Sequence, residues 1–85
     1  MLIEYVDAAM RQAKYKILPD GEGFFGQIRS LKGAWANAGT LEACRDELRE
    51  VVEDWLLVRL RQGLTLPVIA GITLNQRRPR KRNVA

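Results

Sequence analysis

Between Tyr15 and Trp55 the apolar residues change their spacing, from alternation to a three- and four-residue recurrence, and the change falls at Gly39-Thr40. Alternation places residues on two faces of a strand, and the longer recurrence places them on one face of a helix. Lys14-Tyr15-Lys16-Ile17-Leu18 alternates, with Tyr15 and Ile17 on one side. Pro19-Asp20-Gly21 follows as a turn, because proline presets φ and glycine accepts positive φ. Phe24 to Arg29 is a second alternating run: Phe24, Gly26 and Ile28 share one face, and Phe25, Gln27 and Arg29 share the other. Leu31-Lys32-Gly33 is a second turn and Ala34-Trp35-Ala36-Asn37 a short third strand. Tight connections between consecutive strands favour an antiparallel meander. Gly26 lacks a side chain inside a strand and leaves room for a large neighbour such as Trp35.

Thr40 is the expected N-cap of a long helix, and Glu42 sits in its first turn, where the helix dipole favours an acid. Leu41, Cys44, Leu48, Val51, Val52, Trp55, Leu56 and Leu60 form its apolar face; Arg45, Asp46, Arg49, Glu50 and Glu53 cover the other. Gly63 is the expected C-terminal cap, and Pro67 prevents resumption. Leu57 and Val58 widen the apolar stripe, which fits either a partner surface or more core beneath a first helix. That first helix spans residues 2–12, with Leu2, Ile3, Val6, Ala9, Met10 and Ala13 recurring at helical spacing. Ile72-Thr73-Leu74 reads as a short fourth strand. The expected architecture is α+β in the order α-β-β-β-α-β, with the three-stranded meander packed on the long helix.

Eighty-five residues allow one domain with a small core. We place it at residues 1–75. Those residues carry nine Lys/Arg and ten Asp/Glu, a net charge of −1, whereas residues 76–85 carry +5 from Arg77, Arg78, Arg80, Lys81 and Arg82. The net +4 is thus a property of a basic tail, read as disordered, not of the body. No apolar run approaches the ~20 residues of a membrane helix. Glu4 and Asp7 interrupt any signal-peptide pattern, and a lone cysteine argues against disulfides. A cytoplasmic, reducing environment follows.

The chain has no histidine, which removes the commonest general acid/base and the usual catalytic dyads. Cys44 has no second cysteine with which to share a metal. Glu42, Asp46, Glu47, Glu50, Glu53 and Asp54 all lie on one helix, as a solvated face would. A two-metal nuclease needs acids converging from different elements. The string Gly21-Glu22-Gly23-Phe24-Phe25-Gly26 spells a dinucleotide fingerprint but straddles a hairpin, without the strand–turn–helix context. No enzyme, cofactor or metal site is expected. Tyr15, Phe24, Phe25 and Trp35 fit either a base-stacking platform or core packing, and core packing is the favoured reading, with one of the two adjacent phenylalanines facing out.

These residues resemble the HicB-like antitoxin family. The resemblance lies in Tyr15-x-Ile17, the acidic glycine turn Asp20-Gly21-Glu22-Gly23, the aromatic strand Phe24-Phe25-Gly26-Gln27-Ile28, and Leu31 and Gly33 of the second turn. It continues through Gly39-Thr40-Leu41-Glu42-Ala43 at the helix start, Trp55-Leu56 near its end, and the exit at Gly63 and Pro67. It covers roughly residues 13–74 and depends on the order and spacing of the motifs. It implies a partly RNase-H-like domain without catalytic acids that binds and sterically blocks a HicA-type toxin, a ribonuclease that cleaves messenger RNA. Eleven residues follow Leu74, too few for the operator-binding domain many such proteins carry. The expected partner contacts are Phe25, Gln27 and Arg29 on the second strand, with Arg49, Glu53 and Leu57 on the long helix. Homo-oligomerisation to a dimer or tetramer is expected from the small core and free sheet edges. The alternative function is nucleic-acid binding through Arg77, Arg78, Arg80, Lys81 and Arg82.

Overall fold

The computed structural model describes residues 2–72. The basic segment 76–85, with its five candidate nucleic-acid contacts, lies outside them. Helix α1, Leu2–Arg11, leads into an antiparallel sheet of β1 (Lys14–Ile17), β2 (Phe24–Gln27) and β3 (Trp35–Ala38), in the order β1-β2-β3. Helix α2, Leu41–Gln62, lies across one face of that sheet.

The hairpin joining β1 to β2 turns through a single 3-10 turn, Pro19–Gly21. Asp20 adopts a left-handed φ of 57°, a region that short polar side chains tolerate better than most. The Leu18 amide donates to Gly23 O at 2.7 Å and closes the loop. The register pairs Tyr15 with Gly26 and Gly26 with Ala36. This inner row meets α2: the Cys44 thiol donates to Ala36 O at 3.6 Å.

Gly26 is shaped by Tyr15 rather than Trp35. A Cβ at Gly26 would lie 2.7 Å from Tyr15 Cδ1 and Cε1, and 3.3 Å from Cys44 Sγ. The tyrosine ring of the neighbouring strand occupies the place of the missing side chain. Trp35 sits opposite Gln27 and faces away from the helix.

α2 is bounded by local chemistry. The Thr40 side chain accepts from Ala43 N at 3.0 Å. At the other end Gly63 has φ 70°, its amide donates to Leu60 O, and the Leu64 amide donates to Arg59 O. These two bonds form a Schellman motif. α2 buries Cys44, Leu48, Val52 and Leu56; burying a leucine such as Leu48 contributes ~1.5–3 kcal/mol. Leu41, expected on this face, stays 45% exposed in the first turn.

Tyr5, Val6, Ala8 and Ala9 carry α1 into the core, beside Ile28, Leu31, Leu66 and Ile69. Tyr5 lies outside the apolar face expected for α1; its hydroxyl donates to Pro67 O at 2.6 Å, so the ring is buried with its polar end satisfied. Leu2 and Ile3, expected to pack inward, remain exposed. Trp55 Nε1 donates to Lys32 O at 2.9 Å, which fixes the β2–β3 connection to α2.

No fourth strand joins the sheet among the described residues. Ile72 instead bridges back to Ile69 across Ala70 and Gly71, both at positive φ, as a two-residue type I′ turn requires. The chain reverses there, and the backbone partner of Ile72 is Ile69 rather than a strand of the sheet. Thr73 and Leu74 lie outside the described residues.

Candidate functional site

Arg49, Glu53 and Leu57 come together on one side of α2. Arg49 Nη2 donates to Asp7 Oδ1 at 2.6 Å, and Arg49 Nε lies 3.7 Å from Glu53 Oε2. The pair with Asp7 ties α1 to α2. Its side chains are more than 40% exposed, so solvent screening limits it to at most about 1 kcal/mol. Beside it a cleft of about 250 Å³ runs between the helices, lined by Leu2, Ile3, Val6, Leu56 and Leu57, with Arg49 and Glu53 on its rim. Ile3 is 71% exposed and Leu57 50%. Leu57 and the equally exposed Val58 are therefore surface rather than additional core.

Phe25, Gln27 and Arg29 lie elsewhere. Successive strand residues point to opposite faces; Gly26 faces Cys44, so Phe25 and Gln27 face away from α2. Arg29 lies beyond the end of β2 and lines a cleft with Arg11, Gln12, Lys14 and Ser30. The two expected trios thus occupy opposite sides of the domain, and one compact partner surface cannot hold both.

The outer sheet face contains residues that sequence reasoning assigned to the core. Trp35 is 53% exposed. Its ring stacks on Phe25 with centroids 5.9 Å apart and an interplanar angle of 27°. Lys16 Nζ sits 5.7 Å from the Phe25 centroid on the other side. Tyr15 packs over Gly26 on the α2 side, and Phe24, on the face of Gly26, is half-buried at the hairpin end. The signal for the outer cluster was parity: once Gln27 pairs with Trp35, Trp35 must share the face of Phe25. For the helical cleft, the missed residues are Leu2 and Ile3, whose helical spacing gives no direction without the docking angle of α1.

The titratable groups inside the domain are held neutral. Burial raises the Tyr5 phenol. Burial, then Cys44 nearby, raises Tyr15, against the opposing effect of Arg45. Burial, then Glu47, raises the Cys44 thiol, which disfavours the reactive thiolate. Among the described residues no group of three or more potential ligands is arranged to hold a metal ion. No helix there is long and apolar enough to cross a membrane.

A family profile described as UPF0150-like matches residues 4–67. The fold is similar to the crystal structure of TTHA0281 from Thermus thermophilus, with a TM-score of 0.84 and 34% sequence identity over 91% of this chain and 95% of that one. No curated protein matches the sequence.

Proposed function

Because the chain belongs to the UPF0150-like family, we propose that it is a non-catalytic, HicB-like binding module that covers the RNA-cleaving surface of a HicA-type toxin. The observation that carries this reading is the apolar cleft between α1 and α2. Exposed Ile3 and Leu57 are the anchors, and Arg49 and Glu53 form a charged rim. Buried apolar anchors surrounded by polar contacts concentrate binding energy. Glu42, Asp46, Glu50 and Asp54 are exposed on the same helix. A ribonuclease presents cations where it grips RNA, so this acidic helix complements it and steers encounter. Inhibition is steric: the module occupies the surface that messenger RNA needs.

The contact uses the helical trio and not Phe25, Gln27 or Arg29, which face the other way. Self-association through the edges of β1 and β3, which pair with no further strand among the described residues, belongs to the same proposal, and light scattering on the full chain reads it as a mass above the monomer.

The test is titration of the full chain into an RNA-cleavage assay with a HicA-type toxin from the same genome. Stoichiometric inhibition, lost in Leu57→Arg and retained in Trp35→Ala, is the expected result. Absence of inhibition by a folded wild-type chain against such toxins overturns the proposal. Inhibition that survives Leu57→Arg and Ile3→Arg moves the contact away from the cleft.

A further inference from the structure

The outer face of the sheet is a grid of six side chains fixed by the register: Lys14, Gln27 and Trp35 in one row, Lys16, Phe25 and Asn37 in the next. Its composition is two cations, two stacked aromatics and two amides. None of the three strands contains an acid. Beyond Lys14 the face continues into a cleft of about 460 Å³ where Arg11 and Arg29 join Lys14. The acids lie elsewhere: Glu4 and Asp7 on α1, where Asp7 pairs with Arg49, Asp20 and Glu22 in the hairpin turn, and the acidic run of α2 on the far side of the sheet. The domain therefore has a cationic, aromatic face and an acidic, helical one.

We propose that this outer face binds single-stranded nucleic acid. A base stacks on the exposed ring of Trp35, which Phe25 backs from the other side. The Gln27 and Asn37 amides, each both donor and acceptor, meet the base edges. Lys16, Lys14 and then Arg29 and Arg11 follow the phosphates along the sheet. Every base has a π-face, so such a platform tolerates sequence and selects unpaired strands over duplex. A flat apolar patch for a second protein chain would not need a row of cations leading off it. Charge complementarity points to a polyanion. The inference does not depend on a toxin partner, and it concerns the folded body rather than the tail.

Fluorescence anisotropy of the full chain with a labelled single strand of about ten nucleotides, as RNA and as DNA, tests this. The wild type binds single strands and discriminates against duplex. Trp35→Ala weakens binding roughly 5- to 160-fold, as loss of one stacked base does, whereas Trp35→Phe keeps most of it. Lys14→Gln with Lys16→Gln lowers the slope of log K against log salt by about 1.4, the value for two single-strand phosphates. A difference between the RNA and DNA arms identifies the natural strand through the 2′-hydroxyl. Binding unchanged in Trp35→Ala and Phe25→Ala overturns the proposal and assigns any affinity to other cations, including those of residues 76–85. Equal affinity for duplex also overturns it, as does no binding at about 50 mM salt. If Trp35→Ala instead dissociates an oligomer without altering nucleic-acid binding, the face belongs to a second copy of the chain.

Discussion

Replacing Gly26 by alanine adds one methyl group where the Tyr15 ring already stands. The new Cβ would lie 2.7 Å from two ring carbons, with Cys44 Sγ at 3.3 Å behind them. To make room the ring must shift toward the cleft that it lines with Ala13, Arg45 and Asp46. Overpacking of this kind costs ~1–3 kcal/mol. Alanine returns ~0.5–1 kcal/mol by restricting the unfolded chain, since Gly26 has no positive φ to lose. The net destabilisation is ~0–2.5 kcal/mol. At ~4–8 °C per kcal/mol for a domain of this size, thermal unfolding by circular dichroism drops by up to roughly 20 °C. The partner is identified by a double-mutant cycle. Tyr15→Ala with Gly26→Ala is less destabilised than the two single changes added together, by ~0.5–3 kcal/mol. Tyr15→Phe leaves both clashing carbons in place and gives no such relief. A Gly26→Ala protein more stable than the wild type, or strictly additive changes in the cycle, would refute the placement of Tyr15 over Gly26.

Three further perturbations act elsewhere in the fold. Thr40→Ala removes the acceptor for the Ala43 amide and lowers stability by ~1 kcal/mol, measured by urea unfolding with an unchanged slope. Tyr5→Phe leaves the part-buried Pro67 O without its donor, at ~0.5–1.5 kcal/mol. Burial raises the folded Tyr5 pKa above its ordinary value of 10.0. Its contribution is thus complete below that value and is lost as pH rises through the raised folded pKa, so Tyr5→Phe flattens the alkaline limb of the stability–pH curve. Cys44 is fully buried and its thiol pKa is raised; at neutral pH an aromatic disulfide reagent reacts with it only in denaturant, and fast labelling of the native chain contradicts its position under β3.

The elements whose signals are local were legible in the sequence. Thr40 and Gly63 bound α2 because a cap needs only its own neighbours, and Pro19-Asp20-Gly21 marked its turn for the same reason. The core positions Cys44, Leu48, Val52 and Leu56 followed from helical spacing. What sequence reasoning missed depends on distant contacts. Trp35 has the composition of a core residue; only its pairing with Gln27 turns it outward. Ile72 has strand chemistry, but the left-handed pair Ala70-Gly71 sends it back onto Ile69. The helical cleft depends on how α1 docks on α2, which no periodicity within either helix encodes. Arg49 and Glu53 were legible as one helical turn apart, whereas Asp7, their third member, arrives from 42 residues away.

The Tyr5–Pro67 hydrogen bond spans 62 positions of the chain. The meander and α2 contact one another over much shorter separations and can assemble first, since loop closure favours near partners. α1 and the stretch from Leu66 to Ile72 then share one set of contacts: each supplies part of the wall that buries the other. The expected behaviour, read by hydrogen exchange, is that they open as a single cooperative unit. Amide hydrogens at the inner turns of α1 and at Ile69 and Ile72 exchange with one common opening free energy, below that of the amides along Leu48 to Leu56. A lesion at either extremity of the described chain is consequently registered at the other, while the sheet beneath α2 keeps its protection.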